Sequence, residues 1–84
     1  MVHLETVYGY SDSLTPDIAA KLSQCAEHFQ ARTHLECGDK RVRLDSLIGI
    51  LSVECRRGSR LTVTADGVDA QAAAEAVCRL LGGA

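Results

Sequence analysis

Ser46 is the hydroxyl in this chain whose neighbours give it the most to do. In Asp45-Ser46-Leu47-Ile48-Gly49-Ile50-Leu51 a serine opens an apolar segment too greasy for an ordinary surface turn. The pattern predicts a helix N-cap, the Ser46 hydroxyl accepting from backbone N–H groups two or three residues on. Free N–H groups and the helix dipole also suit such a position to a phosphate. Leu47, Ile48 and Leu51 share one side of the helix, and Ile50 points elsewhere as the core candidate. A modifiable hydroxyl beside an apolar patch is the outline of a switchable docking site. The same residues also describe a plain capped helix with its core face showing.

A second hydroxyl stands at Thr15-Pro16-Asp17. Thr15 is a natural N-cap, Pro16 fits the first helical position, and Asp17 suits the dipole. The other reactive types are scattered. Cys25, Cys37, Cys55 and Cys78 include no Cys-x-x-Cys pair, so the structural-zinc signature is absent. They are expected as free thiols acting as small hydrophobes, with no metal and no cofactor. His3 and His34 fall in expected strands and His28 late in the first helix, which suits structural or exposed imidazoles. Arg56-Arg57, with Arg60 nearby, forms a short basic run of the kind usually solvated.

These groups need elements to hold them. His3 to Tyr8 alternates loosely, with Val2, Val7 and Tyr8, as a first strand, and Gly9 to Ser13 is turn chemistry. Ile18, Leu22, Cys25 and Phe29 recur at helical spacing, with Ala19 and Ala26 alongside, predicting a helix from Pro16 to Phe29 with that stripe buried. Arg32 to Cys37 and Lys40 to Leu44 form a hairpin about Gly38-Asp39. Val42 and Leu44 face one way, Arg41 and Arg43 the other. The Ser46 helix runs to Val53, and Glu54 to Ser59 is a polar loop. Leu61, Val63 and Ala65 share a face of a strand from Arg60 to Ala65. After Asp66-Gly67, Asp69 is expected to cap a last helix with Ala73, Ala74, Val77, Leu80 and Leu81 inward, ended by Gly82-Gly83. The order β-α-β-β-α-β-α predicts an α+β open-faced sandwich: a four-stranded, mostly antiparallel sheet covered on one face by three helices.

Composition sets the outer bounds. The chain has 84 residues, 46% of them hydrophobic, with no Trp and a formal net charge of -2. That is one domain over 1–84 with a small core of Leu, Val, Ile and Ala. Mild acidity gives no basic face for nucleic acid. No apolar run approaches membrane-spanning length, and the first residues lack a secretion signal's regions, so a cytoplasmic protein is expected.

Element order, length and local patterns resemble HPr, the histidine-containing phosphocarrier of the bacterial sugar phosphotransferase system. Gly58-Ser59-Arg60-Leu61-Thr62-Val63-Thr64-Ala65-Asp66-Gly67-Val68-Asp69-Ala70 is similar to the family's fourth strand, Gly turn and entry to the last helix. Asp45-Ser46-Leu47-Ile48-Gly49 resembles its regulatory serine motif, and Ala19-Ala20 its paired alanines. A working carrier has Gly-Leu-His-Thr-Arg-Pro-Ala-Ala across the start of helix one. Here Ser13-Leu14-Thr15-Pro16-Asp17-Ile18-Ala19-Ala20 places Thr15 at the histidine position and Asp17 at the arginine position. A threonine ester is a poor phosphoryl donor, and Asp17 puts negative charge where a phosphohistidine needs a cation.

The resemblance therefore implies a regulatory, non-enzymatic member similar to the catabolite-repression HPr that lacks the active histidine. By position, Ser46 would accept phosphate from HPr kinase/phosphorylase. Leu47, Ile48 and Leu51 would then dock a LacI-type catabolite control regulator or a metabolic enzyme. A carboxylate at Asp45 would repel that phosphoserine. The alternatives are a constitutive interaction module without phosphorylation and a phosphotransfer protein using Thr15. A monomer or weak homodimer is expected, with no contact to nucleic acid or membrane.

Overall fold

Alternation along Arg60–Asp66 puts Leu61, Val63 and Ala65 on one face of a strand, and all three are buried at the centre of the molecule. The computed structural model describes residues 1–10 and 14–82. Its elements are β1 (Val2–Val7), α1 (Pro16–Glu27), β2 (Arg32–Cys37), β3 (Lys40–Arg43), α2 (Leu47–Leu51), β4 (Arg60–Asp66) and α3 (Ala70–Leu81). The strands form one sheet in the order β1-β4-β2-β3, and every pairing is antiparallel. The expected turn over Gly9 to Ser13 lies partly outside the described residues, as does Gly83 of the helix stop.

The helices cover the sheet face that carries Thr33, Leu35, Leu61, Val63 and Ala65. α3 lies over β1 and β4, α1 packs on α3, and α2 packs on α1 and β3. Leu22, Ile50, Ala73, Val77 and Leu81 complete the interior from the helix side. Each large aliphatic side chain buried there contributes ~1.5–3 kcal/mol over leaving it in water. The other sheet face carries a cross-strand row of His3, Thr64, His34 and Arg43, in which Thr64 is buried among its neighbours.

The boundaries differ from expectation where the chain must turn. α1 stops at Glu27 rather than Phe29, because the His28 and Phe29 N–H groups bond to Cys25 and Ala26 carbonyls three residues back, which tightens the last turn. Phe29 thereby leaves the helical stripe and is half-buried. Cys25 and Leu80, both expected in the core, instead line a groove between α1 and α3. Tyr8 lies just past β1 and is fully buried, its N–H on the Ser59 carbonyl at 2.9 Å. α2 spans one turn and ends at Leu51, with Ser52 as C-cap, short of Val53.

Asp69 is the clearest correction. It stands at the N-cap position of α3, yet its carboxylate makes no bond to its own helix. Its oxygens accept instead from the Gln30 N–H at 2.9 Å and the Ala31 N–H at 2.8 Å, clasping the entry to β2. The clasp needs Gly67. Its φ is +149°, and a Cβ there would stand 2.7 Å from the Ala31 Cα.

Candidate functional site

The Ser46 region is assembled by β3 and closed by α2. Beyond β3 the Leu44 N–H still bonds to the Thr33 carbonyl at 3.1 Å, so Leu44 reaches the core and the chain turns outward after it. Ser46 is extended (φ -112°, ψ 109°), and its Oγ accepts the Gly49 N–H at 3.2 Å. The Ile50 N–H bonds to the Ser46 carbonyl at 3.0 Å, the first helical bond of α2. Ile50 is fully buried and is what seats the helix. Gly49 keeps the turn tight, since a Cβ there would meet Ser46 Oγ at 3.3 Å and the Val42 Cβ at 3.6 Å.

One buried anchor leaves the rest of α2 facing solvent. Leu47, Ile48 and Leu51 are 45%, 84% and 41% exposed, three large apolar side chains around a half-buried serine. The patch runs on into a surface hollow of about 390 Å³ walled by Leu14, Leu51, Val53 and Cys55, with Glu54 and Arg56 at its rim. Leu14 and Val53 were not among the sequence candidates. The residue before a helix cap and the residue after a short helix have no periodic pattern to mark them, and only the packing of α2 on α1 brings them together.

Asp45 is paired. The Arg43 guanidinium lies 2.6 Å from its carboxylate at the surface. The acid that on sequence grounds would repel a phosphoserine thus has a cation beside it. Both side chains are exposed, so the pair is worth little to stability, but it does alter the local field.

The start of α1 repeats the cap and lacks the patch. Thr15 is extended, and its Oγ1 accepts the Ile18 N–H at 3.3 Å. Pro16 and Asp17 follow, both exposed. His28 sits at the other end of α1, ~20 Å away at 1.5 Å rise per residue. His3 and His34 lie on the sheet face opposite the helices. Burial, then the charges of Arg41 and Arg43, hold the His34 pKa below its ordinary value. Among the described residues no cluster of three His, Cys, Asp or Glu side chains could hold a metal ion, and no helix is long and apolar enough to cross a membrane.

These features have relatives. The family PTS-HPr, described as the PTS HPr component phosphorylation site, matches residues 12–82. The chain is 35% identical over 63 residues to the phosphocarrier protein NPr of Shewanella violacea, covering 75% of this chain and 69% of that protein. Its fold is similar to the phosphocarrier HPr of Bacillus anthracis, with a TM-score of 0.89 and 31% identity over 95% of both chains. It is also similar to Crh, the catabolite repression protein of Bacillus subtilis, whose structure is a swapped dimer. There the TM-score is 0.79 and the identity 28%, over 99% of this chain and 91% of that one. With a matching family profile across most of its length, the same element order and the same sheet, this chain belongs to the HPr family.

Proposed function

We propose that this chain is a regulatory HPr, switched by phosphate on Ser46 and read through Leu47, Ile48 and Leu51. The observation that carries the reading is one composite surface: a half-buried serine hydroxyl capping a single-turn helix whose three large apolar side chains point into water. A phosphate on Ser46 Oγ would trade the cap bond to Gly49 for stronger charge-assisted bonds, with Arg43 near enough to shift from Asp45 toward it. A partner arginine could meet the same phosphate while an apolar pocket takes Ile48. HPr kinase/phosphorylase and a LacI-type regulator are the partners that the family resemblance suggests, in a cytoplasmic setting. Likeness to Crh supports a regulatory role for this chain.

Relay of phosphate through α1 is the weaker reading. Thr15 Oγ1 is engaged as a cap and no imidazole stands near it. A constitutive module has one observation in its favour, the existing use of Ser46 Oγ as a cap. Binding separates the two. Phosphorylated protein should hold a catabolite control regulator, unmodified protein and Ser46→Ala should not, and Ile48→Asp should abolish binding even when phosphorylated. Binding that survives Ser46→Ala but fails in Ile48→Asp would mean that the patch is read bare.

A further inference from the structure

Cys37 and Cys55 come together although they are far apart in the chain. Cys37 ends β2 with the parity of Thr33 and Leu35, so its side chain lies on the helix-covered side of the sheet. The segment leaving α2 runs past that point, with Val53 and Cys55 buried in it. The Cys37 Sγ donates to the carbonyl of Glu54, the residue before Cys55, at 3.7 Å, and the Cys37 and Cys55 thiols lie close enough to perturb one another's ionisation. The two differ in access. Cys37 is half-buried, whereas Cys55 is 1% exposed. Burial, and then the charge and hydrogen bond of Cys37, push the Cys55 thiol up to about 12. Cys55 is therefore a thiol at neutral pH and not the group that meets an oxidant first.

We propose that Cys37 and Cys55 are a thiol modification site: a hydroperoxide oxidises Cys37, and Cys55 closes an intramolecular disulfide. The Cys37 thiolate attacks one peroxide oxygen and the O–O bond breaks. Sulfur loses two electrons to become a sulfenic acid, and the other oxygen leaves as hydroxide (for an organic peroxide, as alkoxide). The Cys55 sulfur then forms the S–S bond as the S–OH bond breaks, and the thiol proton leaves with that oxygen as water. With hydrogen peroxide the sum is two thiols and one peroxide giving one disulfide and two waters. The bond would tie the end of β2 to the exit of α2 and enclose β3, Ser46 and the apolar patch in one covalent loop. This site does not depend on Ser46 being phosphorylated.

The test uses hydrogen peroxide on the intact protein, then denaturation and alkylation with N-ethylmaleimide. The four cysteines are all free in the structure. Alkylation should fall from four thiols to two, with a mass loss of two hydrogens, no linked dimer on a non-reducing gel, and full reversal by dithiothreitol. Trypsin should release one disulfide-linked product joining residues 33–40 and 44–56. In Cys55→Ser, Cys37 should be trapped as its sulfenic acid by dimedone, while the double variant Cys25→Ser, Cys78→Ser should close the bond as the wild type does. Four alkylated thiols after peroxide, protection of Cys25 and Cys78 instead, a disulfide only between chains, or sulfinic acid on Cys37 with Cys55 still reduced would each overturn the proposal.

Discussion

Thr15 and Ser46 begin two helices in the same way, each hydroxyl accepting the N–H three residues on, at 3.3 and 3.2 Å. Their settings differ. α1 has twelve residues and is anchored by Ile18, Ala19, Leu22 and Ala26, whereas α2 has five and is anchored by Ile50 alone. Beyond the cap, α1 offers Pro16 and an exposed carboxylate. α2 offers Leu47, Ile48, Leu51 and the Arg43–Asp45 pair. A single-turn helix is marginal on its own, so what happens at its cap matters more to it than the same event matters to a long helix. Cap geometry alone therefore does not mark a site. Here the neighbourhood of each cap separates them.

The contrast can be broken most forcefully at the seat of α2. Ile50→Ala should cost about 2–5 kcal/mol, from lost burial plus the cavity left behind, measured by urea denaturation. Ile48→Asp, two residues away on the exposed side, should change stability by about 0.5 kcal/mol or less while removing regulator binding. If Ile48→Asp also unfolded the protein, the patch would be core and not a docking surface.

Next in size are the caps themselves. Thr15→Ala and Ser46→Ala should each cost about 1 kcal/mol in global stability. Amide exchange sharpens the comparison: Ser46→Ala should speed exchange locally at Gly49, Ile50 and Ser52, and Thr15→Ala should leave those amides unchanged. Equal protection in both variants would show that α2 is not the more responsive helix.

Arg43→Ala should cost on the order of 0.2–1 kcal/mol, because both partners of its ion pair are exposed. Its larger effect should be kinetic. With Asp45 no longer countered, phosphate uptake at Ser46 should slow, and Arg43→Ala combined with Asp45→Ala should recover it. A time course of intact mass reads both.

The smallest effect lies away from both caps, at Asp69. The Gln30 N–H, and with it that of Ala31, favours the ionised carboxylate and lowers its pKa below the usual 3.8. The unfolded chain then binds the proton more readily. The clasp's contribution is full about one pH unit above 3.8 and is lost as pH falls through the lowered folded value. Asp69→Asn should flatten that part of the stability curve between pH 5 and 2, followed by thermal unfolding.

Much of the fold was legible because the interior signals are periodic. Leu61, Val63 and Ala65 alternate, and Ala73, Ala74 and Val77 recur at helical spacing, so β4 and α3 announce their buried faces. Most of what was not legible depends on chain segments remote in sequence. Asp69 reads as a helix cap, and nothing nearby says that its acceptors will find Gln30 and Ala31 across the molecule. Cys25 and Leu80 carry the right period for the core, yet the spacing of α1 and α3 leaves them along a groove. At the site, Ser46 and its apolar neighbours stand out by residue type alone. The Arg43–Asp45 pair does not, because it forms across the bend where β3 ends. The approach of Cys37 to the segment that carries Cys55 is hidden because the two lie far apart in the chain.

In a regulatory HPr of the kind proposed, Ser46 and not Thr15 would take phosphate. Intact mass after two parallel incubations tests it most directly, one with ATP and HPr kinase/phosphorylase, the other with phosphoenolpyruvate and enzyme I. One phosphate is expected in the first incubation alone, absent in Ser46→Ala and retained in Thr15→Ala. Phosphate from phosphoenolpyruvate that disappears in Thr15→Ala, or no phosphate from ATP, would contradict it.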